Sequence, residues 1–458
     1  MLTHLDVFER ALNGPLMSEQ DFNLKLLIPC LKKIVKDYGI HYNPENPVPS
    51  SDDSADALFN AAVDLVEQVG FYCKDTNRLI KFDRMEIYEA VHKAAGICYA
   101  GEGKDARTFG MRKPEDGRLP WLHVGSGIVA TREEWITSLI SSYAAIPEAN
   151  SISISSLDSL RGLPVIAGSP IELYAAIRSI QIGRDALSQA GRPGLPIMNL
   201  ISTSASAVTT LAASAAQFGL RPNDGWLVGA TADLKIDFAA MNKTAYLLSW
   251  GANIGAETSP ILGGYCGGPE GTAVASTAYI LMGLLIQRGN YQLTFPVHFR
   301  YGCSTPRNVL WVVSSSCQAA SRNIPMPVIW LGYIAAGPNT AMYFYESAAY
   351  LLAAVTSGAP GVQTPHPAKA TLTDGITPVE ARFGVDAAIA AAKMTRQQAN
   401  EVVNRLLEKY EAHIEHAPVG SRYQECCDPI TGQPGIEYKR LLSETKAELA
   451  KSGMVLEN

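Results

Sequence analysis

One carboxylate stands among small residues in the stretch Gly255-Ala256-Glu257-Thr258-Ser259. Such a glutamate ordinarily serves as a surface or capping group; drawn into a cavity, it becomes a negative charge suited to a cationic ligand. Other side chains able to act on a small molecule fall near the ends of short apolar runs: Met198 and Asn199, Trp226 and Leu227, His298, Arg300 and Tyr301, Trp330, Leu331 and Tyr333, then Gln363 and His366. Aromatics in such places usually pack a core. Converging on one mouth, Trp226, Trp330 and Tyr333 would instead cage a quaternary ammonium, each favourable ring contributing ~0.5–2 kcal/mol. Arg300 could grip a carboxylate bidentately or close a structural ion pair. His298 alternates with apolar neighbours and reads as a satisfied core histidine ahead of a catalytic base.

Other chemistries find no support. There is no Ser-His-Asp arrangement and no paired-carboxylate spacing. The eight cysteines show neither CxxC nor Cys/His ligand spacing, so no metal site is expected and they read as reduced, mostly buried thiols. The Gly-rich turn from Gly263 to Gly268 could cradle phosphate, but no Lys or Ser/Thr follows it, and close backbone packing explains it as well. A net charge of −6 without a basic block argues against nucleic acid. The longest apolar run, Thr272 to Ile286, is about 15 residues and short for the ~20 of a membrane span. The opening residues carry Asp and Glu and no signal-peptide core, so a cytoplasmic protein is expected.

A chain of 458 residues needs either one decorated barrel or several domains to position these groups. Residues 1–144 carry helix signals: Ser54 before the periodic run from Leu58 to Val66, Gly70 closing it, and capping boxes at Asp83/Glu86 and Thr131/Glu134. From about 145 to 395, extended runs alternate with helices that start at Ser169-Pro170, Thr305-Pro306 and Thr377-Pro378. The runs are 151–157, 163–167, 195–201, 225–230, 260–265, 293–299, 327–334 and 360–364. Alternation over this length predicts an α/β fold, a (β/α)8 barrel whose site lies where strands end, with N-terminal and C-terminal helical additions. Residues 396–458 read as the C-terminal helical extension, with Thr395 and Gln398 capping its first helix.

Several stretches resemble the archaeal monomethylamine methyltransferases: Tyr72-Cys73-Lys74-Asp75-Thr76, Ala190-Gly191-Arg192-Pro193-Gly194, Leu234-Lys235-Ile236-Asp237, Gly263-Gly264-Tyr265 with Gly267-Gly268, Pro296 to Gly302, Ala336-Gly337-Pro338 and Gln424-Glu425-Cys426. They run in order over nearly the whole chain and are specific jointly. The resemblance implies a (β/α)8 barrel and a homo-oligomer (a hexamer). It also implies no tightly bound cofactor, because the methyl group is handed to the Co(I) corrinoid, a cobalamin, of a small partner protein. Glu257 matches a family active-site glutamate. Met198 falls where the family carries pyrrolysine, an electrophilic imine. Leu227 and Leu331 fall where the family has a glutamate and a glutamine that contact the pyrrolysine-bound amine.

These departures imply a changed methyl donor. Displacing a methyl group from nitrogen requires nitrogen to carry positive charge at attack, so that it leaves neutral. A primary amine needs protonation or a covalent adduct for this, whereas a quaternary ammonium arrives charged. An apolar pocket with one carboxylate suits the latter, with Glu257 balancing the cation, Trp226, Trp330 and Tyr333 caging it beside Met198, Leu227 and Leu331, and Arg300 a weaker candidate for a substrate carboxylate. A methoxy or methylthio donor, or a paralogue that binds amines without turnover, are the competing readings.

Overall fold

Eight short parallel segments close into a ring. In this computed structural model, which describes residues 2–198 and 216–456, they are Trp121–Val124 (β1), Ser151–Ile152 (β2), the bridging pair 197–198, Trp226–Gly229 (β3), Ile254–Thr258 (β4), Tyr291–Thr294 (β5), Val328–Trp330 (β6) and Gly361–Gln363 (β7). Ile152 bridges Ile197 and Met198 bridges Gly225, so the pair joins β2 to β3. From β3 the ladder passes through β4, β5 and β6 to β7, which returns to β1 through Gly361 and Trp121. Helices follow the strands and cover the outside, among them Phe238–Trp250, Pro269–Leu285, Arg307–Asn323 and Ala341–Thr356. This is the (β/α)8 barrel expected.

The ring differs from the sequence reading in three places. Its first strand is Trp121–Val124, so the barrel begins before residue 145. The run 163–167 belongs to a surface hairpin in which Leu160 pairs with Leu163. The run 260–265 gives only Ile261–Leu262, paired with Val297–His298 beyond the C-terminal rim, while the barrel strand is Ile254–Thr258. Asn199 and the end of the run 195–201 lie outside the described residues.

Caps explain where helices start. Asp83/Glu86, Thr377/Glu380 and Thr395/Gln398 form reciprocal capping boxes as read from sequence. Ser51, not Ser54, caps Asp52–Val69, its hydroxyl accepting from the Ser54 N–H. Thr131 does not cap; it donates to Asp374 instead. The helix Asp52–Val69 packs on Pro269–Leu285 and Arg307–Asn323, which fastens the N-terminal region to the barrel wall. Among the described residues, no helix is long and apolar enough to cross a membrane.

Strand parity divides the core in two. Odd positions of β1, β5 and β6 send Trp121, Tyr291, Leu293 and Ile329 inward, where they cluster with Met198, Leu227 and Leu331. Alternate residues, including Leu122, Val228, Val328 and Val362, face the helices and join the large outer cluster. Glycine at 255 makes room for this packing: a Cβ there would collide with the Tyr291 ring and Leu227. The N-terminal end is stoppered by the hairpin Ile97–Ala100/Arg107–Gly110, whose Phe109 ring lies 5.1 Å from that of Trp121.

Candidate active site

Glu257 is the fourth residue of β4 and shares its inward parity with Gly255. It pairs in register with Gly229, where a Cβ would stand 3.5 Å from its Oε2, so the absent side chain gives the carboxylate room. The carboxylate touches the lumen but is otherwise enclosed by protein. Burial pushes it up to about 7, against the opposing pull of the Lys243 ammonium. Lys243 projects from Phe238–Trp250, is itself buried, and is held below its usual value by burial while Glu257 favours its charge. This lysine lies in a helix with no motif around it, and nothing in the sequence marked it.

Hydrocarbon surrounds this charge. Met198, Leu227, Leu293 and Leu331 are all buried and share one inner cluster, with Phe295 and Tyr333 packed against it. Met198 pairs with Gly225 and Glu257 with Gly229, so the thioether sits nearer the N-terminal end than the carboxylate. Phe295 and Tyr333 stack face to face, centroids 5.0 Å apart and planes 9° apart. Tyr333 stacks in turn on His366 at 5.5 Å. Burial and the neighbouring Glu257 charge both push the Tyr333 phenol up, so it stays neutral. Phe295 lies inside the expected run 293–299, where nothing in the local sequence distinguished it.

The expected indole cage is not there. Trp226 and Trp330 are adjacent to Leu227 and Leu331 in extended strands, and consecutive residues of a strand face opposite sides. Because the leucines face inward, both indoles belong to the outer cluster. Trp226 packs edge-on against Trp250 of the covering helix, centroids 5.2 Å apart, and its Nε1 donates to the Arg221 carbonyl at 3.1 Å. Arg300 is also outside the lumen. Its side chain is 64% exposed, pairs with Glu415 and lies over the Tyr301 ring. It makes the structural ion pair, not the carboxylate clamp. His298 accepts from the Arg300 N–H and stacks on Tyr301, away from the carboxylate.

A third set of inward residues completes the wall. His123 on β1 and Gln363 on β7 take the lumen side by the same parity, and His366 follows β7. Burial holds both imidazoles down at about 3, so they are neutral at any physiological pH. Among the described residues no cluster of three or more His, Cys, Asp or Glu is arranged to hold a metal ion.

A parallel barrel with, among the described residues, one inward carboxylate beside a largely apolar interior defines a barrel enzyme acting from its C-terminal mouth. The family model described as monomethylamine methyltransferase MtmB matches residues 2–454, and the chain belongs to that family of methyltransferases. A monomethylamine methyltransferase of Methanosarcina mazei is 30% identical over 450 residues, 98% of each chain. One from Methanosarcina acetivorans is 29% identical over the same length and coverage. The crystal structure of the Methanosarcina barkeri monomethylamine methyltransferase superposes with a TM-score of 0.94 at 28% identity, covering 99% of this chain and 98% of the other. A hydroxylamine complex of that enzyme matches equally well.

Proposed function

We propose that this methyltransferase takes its methyl group from a quaternary methylated ammonium and passes it to the Co(I) corrinoid of a small partner protein, without an imine electrophile of its own. The observation that carries this reading is the chemistry of the lumen. The inner cluster offers hydrocarbon at Met198, Leu227, Leu293 and Leu331, and beside it Glu257 is the one inward carboxylate on the strands among the described residues. No side chain of this cluster can form a covalent adduct with an amine.

The residues present then divide the work. Glu257, ionised opposite a cation, offsets the charge that burial would otherwise penalise. The outer face of Phe295, whose other face is stacked on Tyr333, is offered to the methyl groups, taking the part the two indoles do not play. Leu227 and Leu331 exclude water and limit the orientations of the head group. As the methyl carbon passes to cobalt, the N–C bond breaks and its electron pair stays on nitrogen, which leaves as a neutral tertiary amine. No proton need be supplied, consistent with imidazoles held neutral at about 3. The partner protein docks over the C-terminal mouth, and the homo-oligomer is part of the same reading.

The test is methylation of a Co(I) corrinoid on its carrier protein with mono-, di- and trimethylamine and with quaternary ammonium donors. Turnover is expected with a quaternary donor alone. Turnover with monomethylamine would refute the substrate argument.

A further inference from the structure

Across the barrel from Glu257 the wall is polar. Counting round the ring, β1 lies four strands from β4 by either path, so His123 stands on the strand opposite the carboxylate. Gln363 is on the neighbouring strand, and His366 lies beyond it, against the Tyr333 ring.

The hydrogen bonds of these three residues leave a defined remainder. Gln363 Nε2 donates to the Gly125 carbonyl and to His366 Nε2, both at 3.2 Å, which uses its two hydrogens and fixes the amide orientation. His366 therefore carries its proton on Nδ1, and that atom has no partner among the described residues; nor does Gln363 Oε1. On the other side, Ser151 Oγ accepts from the Trp121 indole at 2.7 Å and lies 2.8 Å from His123 Nδ1. The other ring nitrogen, His123 Nε2, is buried and has no partner among the described residues. One N–H donor at His366, one acceptor at Gln363 and the His123 Nε2 atom are thus left without partners on this wall. Leaving each buried group unpaired costs ~1–3 kcal/mol, and apolar residues of similar size would pack there without that cost. Three such groups on one wall mark a place where something polar binds.

We infer that His123, Gln363 and His366 form a second subsite that holds an oxygen acceptor carried by the methyl donor, so the substrate is an ammonium with a carboxylate or hydroxyl oxygen and not a bare alkylammonium. The cationic end lies against Glu257 and Phe295, and the oxygen accepts from the His366 Nδ1–H beside the unpartnered His123 Nε2 and Gln363 Oε1. Because the imidazoles are neutral, the subsite selects by hydrogen bonding and not by charge. The inference rests on the ammonium reading of Glu257.

The experiment measures calorimetric binding of three probes with the same trimethylated head: tetramethylammonium, (2-hydroxyethyl)trimethylammonium and (carboxymethyl)trimethylammonium. At least one oxygen-bearing probe is expected to bind about tenfold tighter than tetramethylammonium, and the hydroxyl and carboxylate arms identify which oxygen fits. In His366→Phe, which keeps the stack on Tyr333, that ratio is expected to fall to about one; His123→Phe reads the same ratio if the first variant does not fold. Equal wild-type affinities for all three probes, as ordered water in the wall would give, overturn the subsite and leave the Glu257 reading standing. A ratio unchanged in the variants also overturns it. Failure of every probe to bind removes both.

Discussion

Replacing Glu257 by glutamine separates the charge of the site from its shape. Burial raises this carboxyl from its ordinary 4.5 to about 7, which corresponds to roughly 3 kcal/mol against the ionised form. A quaternary ammonium that depends on this group selects that ionised form. Between pH 8 and pH 6 the ionised fraction falls from about nine-tenths to about one-tenth, so affinity should weaken about tenfold, ~1.4 kcal/mol, on acidification. Tyr333 stays neutral over this range, and His123 and His366 are fixed at about 3. Lys243 faces the carboxylate, and its charge is disfavoured by burial. The assay is isothermal titration of the best-binding ammonium at half-unit pH steps. Glu257→Gln should bind about tenfold more weakly at pH 8 and lose the pH slope. A flat wild-type profile would refute the reasoning, and the same slope in Glu257→Gln would move the titration to Lys243.

Three further outcomes follow from the same structure. Glu346 and Glu380 are buried carboxyls also raised to about 7, like Glu257. Carboxyls raised on folding contribute stability that is present below about 4.5 and lost as pH climbs through 7, so the unliganded melting temperature should fall from pH 5 to pH 8. Trp226→Phe and Trp330→Phe remove indoles that face the helices, so ammonium affinity should stay within about twofold while stability drops by ~1–2 kcal/mol in denaturant titrations; a loss of binding without loss of stability would put the rings back in the lumen. Leu331→Ala should cost ~2–5 kcal/mol of stability through the cavity it leaves.

The barrel was legible because its helices announce themselves at hydroxyl-Pro starts and its later strands are compact apolar runs such as Val328–Trp330 and Gly361–Gln363. Ile254–Thr258 was not, since Gly255 and Ala256 carry no hydrophobic signal and are small for a packing reason that only the Tyr291 ring explains. Trp121–Val124 hid because its inward His123 interrupts the apolar run. Glu257 was readable as a candidate and takes an inward place on β4. The indole cage failed on a point the sequence already contained: Trp226 and Leu227, like Trp330 and Leu331, are neighbours on a strand and cannot share a face. Lys243, Phe295 and His123 reach the site from positions whose local sequence carries no sign of it; only the closure of the ring brings them together.

The stopper of Phe109 and Trp121 has a kinetic consequence. A tube sealed at its base is loaded and emptied through one doorway. If the corrinoid carrier covers that doorway, the small donor must already be inside when the carrier arrives, and the demethylated amine must wait for the carrier to leave. Catalysis then follows a compulsory order, with the methyl donor first on and its demethylated product last off.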